Sequence, residues 1–482
     1  MRIFLFFSFI FALSTSCFCA SNDTISTTIK KLSVNNKCLL KNSIPTSEQY
    51  ISMEVTTKAG KLAEALGDNI NSVDSLIIRG SINDEDFYTL WSATFYGKLS
   101  VINLENATIE NNEIPKNAFW HPDIQVNIED GYTECVYLKK IMLPNEIQKI
   151  GDGAFSYAIN LQDINMPSHL HSIGECAFSE CVSLKTDPLI FPEGFEVLEN
   201  LAFLDCRNLV GRVILPPTIR EIGDGAFFQS KISSINLPEG LERIGDAAFY
   251  ACRLKEVAIP NSCKKIDGDS HFQMNYKLEK VFLPEGMDRI PSSFCSSCLA
   301  LKEINIPSTV KSIGNKAFWQ CRSLKKLDLP QELETIEKEG LWYCDSLEEI
   351  VFPKSLIFLG TRSCDYWITV KRIYCMSSEP PVCEGTERSP FGSYNSDFDK
   401  STPNDIPVYV PVGSAEKYRK AWGWDYFTNF IETDNFPTAI HGVTTESSDT
   451  KSSIYDLNGR KVINPQKGQI YIKSGKKIIF AR

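Results

Sequence analysis

Histidine is scarce in this chain, with five in 482 residues. Only His169 and His171 lie close enough in sequence to share a metal, and no patterned carboxylates accompany them. They read as solvated turn residues. The motifs His-Glu-x-x-His and Gly-x-Ser-x-Gly are missing, as are a glycine-rich phosphate loop and EF-hand spacing. The recurring phrase IGDGAF is not iterated every nine residues, which excludes a calcium-binding nonapeptide array. These absences lead us to expect a non-catalytic protein that needs no metal and no cofactor.

Positive charge is not in excess either. The formal net charge is −10, and an acidic body argues against a nucleic-acid partner. Residues 451–482 are the exception, with eight Lys or Arg against Asp456 alone, so the tail reads as a separate module. Long apolar runs are missing beyond the start of the chain. Ile3–Leu13 follows Met1-Arg2, is too short to span a bilayer, and reads as a signal peptide cut near Ala20. Cys17 is the alternative, as a lipidated cysteine, although Ser14 stands where a large aliphatic residue is usual. No later stretch is long enough for a transmembrane helix. We expect an exported protein, soluble or held at a surface by something else.

What the sequence does contain is repetition. Ten prolines, from Pro144 to Pro353, recur every 22–25 residues. A period in the low twenties means a solenoid. The residue before each proline and the residue three before it are always apolar, as in Ile141/Leu143, Val213/Leu215 and Ile304/Ile306. That alternation predicts a short strand with one face inward, ended by a proline that cannot donate to a ladder. A second pattern places a phenylalanine five residues after an aliphatic one, as in Ile150/Phe155, Ile222/Phe227 and Ile313/Phe318. Alanine usually precedes the phenylalanine, and large beside small lets coils interdigitate. At Ile266 and Ile290 the phenylalanine shifts by one, to Phe272 and Phe294, so local irregularity is expected there. One coil buries about eight apolar side chains at roughly 1.5–3 kcal/mol each. Ordering its residues costs roughly 1–2 kcal/mol apiece, so a lone coil loses and only a stack is stable.

Sixteen cysteines in an exported chain suggest disulfides. Position argues otherwise. Cys135, Cys181, Cys206, Cys298, Cys321 and Cys344 each precede a leucine by three residues, and Cys252 does so by two. They form one repeat column, filled by Ala158 in one coil, which reads as a site for a small buried residue. Cys375 and Cys383, off this column, are a candidate pair. Cys295 and Cys298 have the spacing of a redox or zinc pair, but Cys298 belongs to the column and no matching second pair exists.

The phrase L-x-x-I-x-(I/L)-P … I-G-x-x-A-F-x-x-C-x-x-L resembles the BspA-type leucine-rich repeat of bacterial surface proteins. The resemblance implies a mainly β, right-handed solenoid with a parallel sheet, exported and surface-exposed, that binds host or microbial proteins. Residues 51–113 resemble the N-terminal cap of such proteins, 114–370 the solenoid, and 371–437 the C-terminal cap. In the last, IPVYVP reads as a strand and GSAEKYRKAWGW as a helix capped by Ser414. Residues 21–50 read as a flexible segment, and 123–136 as a loop lengthening one coil. Residues 438–482 read as a polar linker and a small β module of two hairpins, with Asn458-Gly459 and Ser474-Gly475 as turns. This module resembles the C-terminal sorting domain of the type IX secretion pathway, which implies the surface or outer membrane of a Gram-negative bacterium.

Two columns of the repeat point outward and bear on where a partner would bind. Glu256, Lys280, Glu303, Lys326 and Glu349 alternate in sign and read as a self-satisfied charge ladder. The position after the phenylalanine carries Trp120, Phe228, Tyr250, Trp319 and Trp342. Aromatic residues form interfaces, so these five are the candidate binding surface; ordinary packing between coils is the alternative. The leading expectation is a protein partner, and the runner-up is a glycan stacked on the aromatic column.

Overall fold

The computed structural model describes residues 50–120, 136–385, 388–393 and 401–437, and the strands Ile454–Tyr455, Lys461–Val462, Ile470–Lys473 and Lys476–Ile479. The signal-peptide stretch with Cys17, Cys38, His121, the 123–135 loop with Cys135, and the linker with His441 lie outside the described residues.

From Ser52 to Glu432 the chain is a parallel-sheet β-solenoid of about 16 turns with little helix. The first strand column pairs neighbouring coils in four separate runs. Ile141 lies opposite Ile164, Val257 opposite Val281 and then Ile304, and Ile350 opposite Ile373, Val408 and Phe430 in turn. All but Ile373 and Phe430 are residues three before a proline, so the apolar column of the sequence continues as an inward stripe into the closing coils. Between some of these paired coils an asparagine side chain extends the strand ladder. Asn165, Asn236 and Asn305 each accept from and donate to the backbone of the preceding leucine, Leu143, Leu215 and Leu283. A second column of two-residue strands runs from Glu113–Ile114 to Val382–Cys383. The residue after these strands is often glycine because coils approach closely there. A Cβ on Gly314 would sit 2.8 Å from Ile290 O and Ser292 N, closer than any side chain tolerates.

The core is a file of rings. Phe119, Phe155, Phe178, Phe203, Phe227, Phe249 and Phe272 stack at 5.0–5.9 Å, within 11° of parallel. Irregularity does occur at the two expected coils, but in a different form. Phe272 stays in the file, and the extra residue is absorbed near Gly268, whose φ is +78°. Only Phe294 leaves: it takes the alanine position, turns 80° to Phe272, and Cys295 takes the phenylalanine position. Large and small have exchanged places, which conserves volume.

Among the described residues, the cysteines of the repeat column are buried and free. The site asks for more than small size. Cys181, Cys206, Cys252, Cys298, Cys321 and Cys344 donate their S–H to a backbone carbonyl of the preceding coil, usually that of the file phenylalanine, at 3.1–3.4 Å. Ser230, Asn275 and Trp367 fill the same position and make the same bond through Oγ, Nδ2 and Nε1 at 2.6, 2.7 and 2.9 Å. Buried carbonyls need donors, and that requirement, unread in the sequence, unites these residue types. Cys375 and Cys383 are also free and buried, so the candidate pair is not formed. Toward the end of the solenoid Val408–Val410 is a strand and Ala415–Lys420 a helix. Ser414 makes no capping bond; the Glu432 carboxylate instead accepts from the Ala415 N–H at 3.0 Å. In the tail, Ile470–Lys473 pairs antiparallel with Lys476–Ile479, and Ile454–Tyr455 pairs antiparallel with Lys461–Val462 and with Ile470–Lys473.

Candidate functional site

The position after the file residue divides into three stretches. Trp120 is half-buried near the start of the solenoid. Phe228 and Tyr250 stack at 4.4 Å and 4°, and the Tyr250 hydroxyl donates to Met274 Sδ at 2.8 Å. Tyr250 is only 7% exposed, and burial pushes its phenol up to about 12, so it contributes packing more than surface. Trp319 and Trp342, one coil apart, are half-buried with ring centroids at 6.1 Å.

Around this last pair the structure gathers residues the sequence reading passed over. Tyr343 packs on Trp342 at 4.8 Å, and Tyr366 on Tyr343 at 4.0 Å. Both tyrosines sit at the repeat's left-handed position, with φ of +63° and +64°, which turns them onto the same flank. Three cations cover the rings: Lys316 over Trp319 at 5.7 Å, Arg362 over Trp342 at 4.9 Å and Arg322 over Tyr343 at 5.6 Å. A cation over an aromatic face is attracted by the ring quadrupole. The result is a ridge of four rings and three cations across three coils. The signal was available as spacing, since Trp319/Trp342 and Tyr343/Tyr366 are each one repeat apart.

Beneath the ridge the chain leaves polar atoms unpaired. Ser296 Oγ, Trp319 Nε1, Trp342 Nε1 and Asp365 Oδ2 are buried without a hydrogen-bond partner, at equivalent positions of successive coils. Burial pushes the Asp365 carboxyl up to about 6. The charge column behaves as a ladder where it is in strand register: Lys280 lies opposite Glu256 and Glu303 and pairs with Glu303 at 2.9 Å. Lys326 turns to Asp328 within its own coil.

Among the described residues, no group of three or more His, Cys, Asp or Glu is placed to hold a metal. His169 and His171 reach carbonyls of two different coils, those of Asn145 and Gly194, each at 2.9 Å. No described helix is long and apolar enough to cross a membrane.

The repeat, the parallel ladders and the phenylalanine file agree with the family comparison. The model of the BspA type leucine rich repeat region matches residues 126–252, 209–325 and 268–379, together just over half of the chain. The protein belongs to the BspA-type leucine-rich repeat family. Proteins of this family are generally non-catalytic, leucine-rich repeat proteins commonly bind proteins, and the family points to a surface or secreted protein. Among solved structures, a leucine-rich repeat protein from Bacteroides ovatus is 22% identical, with a TM-score of 0.49 over 68% of this chain and 87% of that one. The pneumococcal vaccine antigen PcpA is 17% identical, with a TM-score of 0.40 over 75% and 80%. A leucine-rich cell surface protein from Faecalibacterium prausnitzii is 21% identical, with a TM-score of 0.34 over 55% and 82%. No curated protein matches the chain.

Proposed function

We propose that this is an exported, surface-attached repeat protein that binds a protein partner through the flank formed by Trp319, Trp342, Tyr343 and Tyr366. The observation that carries this reading is the run of rings capped by Lys316, Arg322 and Arg362. Aromatic and arginine side chains are the residues most enriched at interface hot spots, and the cations favour an acidic partner surface. Glycan stacking, the alternative, needs free ring faces. Here Trp342 has Trp319 against it and Arg362 over its ring, which favours protein over sugar. In this reading residues 1–20 direct export, 51–113 and 371–437 close the ends of the solenoid, and 438–482 serve as a type IX sorting module. Phe228, Tyr250 and Trp120 hold the same column position in earlier coils, and Tyr250 there serves packing.

The test is binding of the purified protein to a protein array and a glycan array, each repeated with Arg362→Ala and Trp342→Ala. Protein ligands lost on both substitutions support the proposal. Glycan ligands lost on Trp342→Ala alone would replace it with the alternative. For the tail, a chain ending at residue 437 that still reached the cell surface in the native host would refute the sorting role.

A further inference from the structure

Among the described residues, the second strand column breaks at one place. It runs as seven strands ending at Lys265–Ile266 and resumes as five beginning at Arg289–Ile290. In neighbouring coils the pattern is constant. Glu242 and Arg243 N–H donate to Arg220 O, and Gly245 N–H to Ile222 O; one coil on, Lys264 and Lys265 donate to Glu242 O, and Asp267 to Ile244 O. In the next coil the equivalent residues are Asp288, Arg289 and Pro291. Proline has no N–H to give, so Ile266 O loses its donor. The Asp288 and Arg289 N–H groups make no bond to Lys264 O. After the break, Gly314 N–H donates to Ile290 O and the ladder is restored.

The faces do not close over this gap. A cavity of about 320 Å³ lies there, lined among others by Lys264, Ile266, Asp267, Met287, Arg289 and Pro291. The opening is a wedge, because the other columns hold across the same two coils. Val257, Val281 and Ile304 stay in register, and Phe272 N–H still donates to Phe294 O at 2.9 Å. The unpaired groups on the two sides are those that pair in a parallel ladder: carbonyls of Lys264 and Ile266 on one, N–H groups of Asp288 and Arg289 on the other. A metal does not fit this chemistry, since no metal-ligating group of side chains is present among the described residues. Amide backbone does, because it brings donors and acceptors at strand spacing.

We infer that the break at Pro291 is a docking slot for an extended peptide segment of a partner. The peptide lies parallel to the flanking strands, donates to Lys264 O and Ile266 O, and accepts from the Asp288 and Arg289 N–H groups. Met287 and Ile266 offer apolar contact to its side chains, and the mixed charges of Lys264, Arg289, Asp267, Glu285 and Asp288 leave the main chain as the group recognised. This slot is separate from the aromatic flank and stands whether or not that flank binds a protein.

The test uses the full-length protein and a displayed library of random seven-residue peptides. The comparison variant is Pro291→Gly, which installs the residue found at Gly245 and Gly314 and restores the missing donor. We expect peptides enriched on the wild type, at least tenfold weaker binding to Pro291→Gly, and protection of the Asp288 and Arg289 amides from hydrogen exchange on binding. Methylation of the peptide's backbone nitrogens should abolish binding. Should Pro291→Gly fail to fold, Pro291→Ala supplies the same N–H. Peptides that bind wild type and variant alike, peptides that protect other amides, or no enrichment at all would each overturn the inference. So would Asp288 and Arg289 amides already as protected in the free protein as those of Lys264 and Lys265.

Discussion

The coils before Pro291 and those after it solve the same packing problem with aromatic residues in different places. From Phe119 to Phe272 the rings stand inside, in one parallel file. After the break the file positions hold Cys295, Phe318, Leu341 and Cys364, and the rings have moved to the flank as Trp319, Trp342, Tyr343 and Tyr366. A core position needs volume and a partner for the backbone, which leucine or cysteine supplies as well as phenylalanine. A flank ring has no such necessity, since its indole N–H is left unpaired at Trp319 and Trp342. The first half shows what the repeat requires, and the proposed binding flank lies where the second half departs from it.

If that contrast is right, the largest loss on truncation belongs to the file. Phe203 is fully buried between Phe178 at 5.0 Å and Phe227 at 5.5 Å. Phe203→Ala is expected to cost about 3–5 kcal/mol, read from denaturant midpoints. Trp342→Phe keeps a ring while removing a buried, unpaired donor, so its stability should be unchanged or raised. A loss at Trp342→Phe comparable to Phe203→Ala would erase the distinction between file and flank.

The boundary between the halves carries the second effect. His271 occupies an alanine position of the repeat, fully buried, with Nε2–H donating to Asp267 O at 2.9 Å and Nδ1 unpartnered. Burial lowers its pKa to about 4. Between pH 6.5 and about 4 the unfolded chain therefore binds a proton that the folded chain refuses, and stability falls as the pH drops. The full loss amounts to about 3 kcal/mol. Asp365, raised to about 6 by burial, contributes the opposite slope over part of the same range, because its folded form holds a proton the unfolded chain releases. His271→Ala should flatten the acid side of the stability curve, and Asp365→Asn should steepen it. A His271→Ala curve parallel to the wild type between pH 4 and 6.5 would show that the imidazole titrates in contact with water.

These cases mark what the sequence made legible. Proline spacing and the two apolar columns located the strands and their inward faces because burial is periodic in a solenoid. The phenylalanine file followed from its spacing, but Phe294 misled, since a side chain can trade places with its neighbour while the backbone stays in register. The break at Pro291 was written in the residue type and passed unread, because its meaning depends on which N–H the neighbouring coil requires. The flank was half visible: Trp319 and Trp342 stood in one column, whereas Tyr343, Tyr366 and the covering cations belong to other columns that only curvature of the coil brings together.

A third, smaller effect concerns the donor column, which runs through both halves. Cys206 Sγ donates to Phe178 O at 3.1 Å, and its thiol is pushed well up by burial. Cys206→Ser should be tolerated, because Ser230 makes the same bond one coil later. Cys206→Val fills similar space without a donor and leaves a buried carbonyl unpaired, at a cost of about 1–3 kcal/mol. Thermal midpoints of the two variants decide whether the column selects a donor or only a size. Cys206 and Cys344 should also resist a thiol reagent until the protein is denatured, and rapid native labelling would contradict their packing.

The smallest effect separates the halves by electrostatics. Before the break, Arg243 bonds carboxylates of the coils on both sides of its own, Glu221 and Asp224 on one and Asp267 on the other, at 2.7–2.9 Å with its side chain 23% exposed. At the break itself, Lys280 of the Pro291 coil and Glu303 of the next meet at 2.9 Å with about half of each side chain in solvent. An exposed pair of this kind contributes roughly 0.2–1 kcal/mol. Its field is also screened within about 3 Å at 1 M salt. A double-mutant cycle on Lys280→Ala and Glu303→Ala should therefore give a coupling below about 1 kcal/mol that vanishes on adding salt. The matching cycle on Arg243 and Asp224 should keep most of its coupling, because the guanidinium is clamped among carboxylates and sheltered from ions. If the Lys280 coupling also survived salt, the lysine stem would be packing on the sheet, and the outward face of that column would be an apolar surface in disguise.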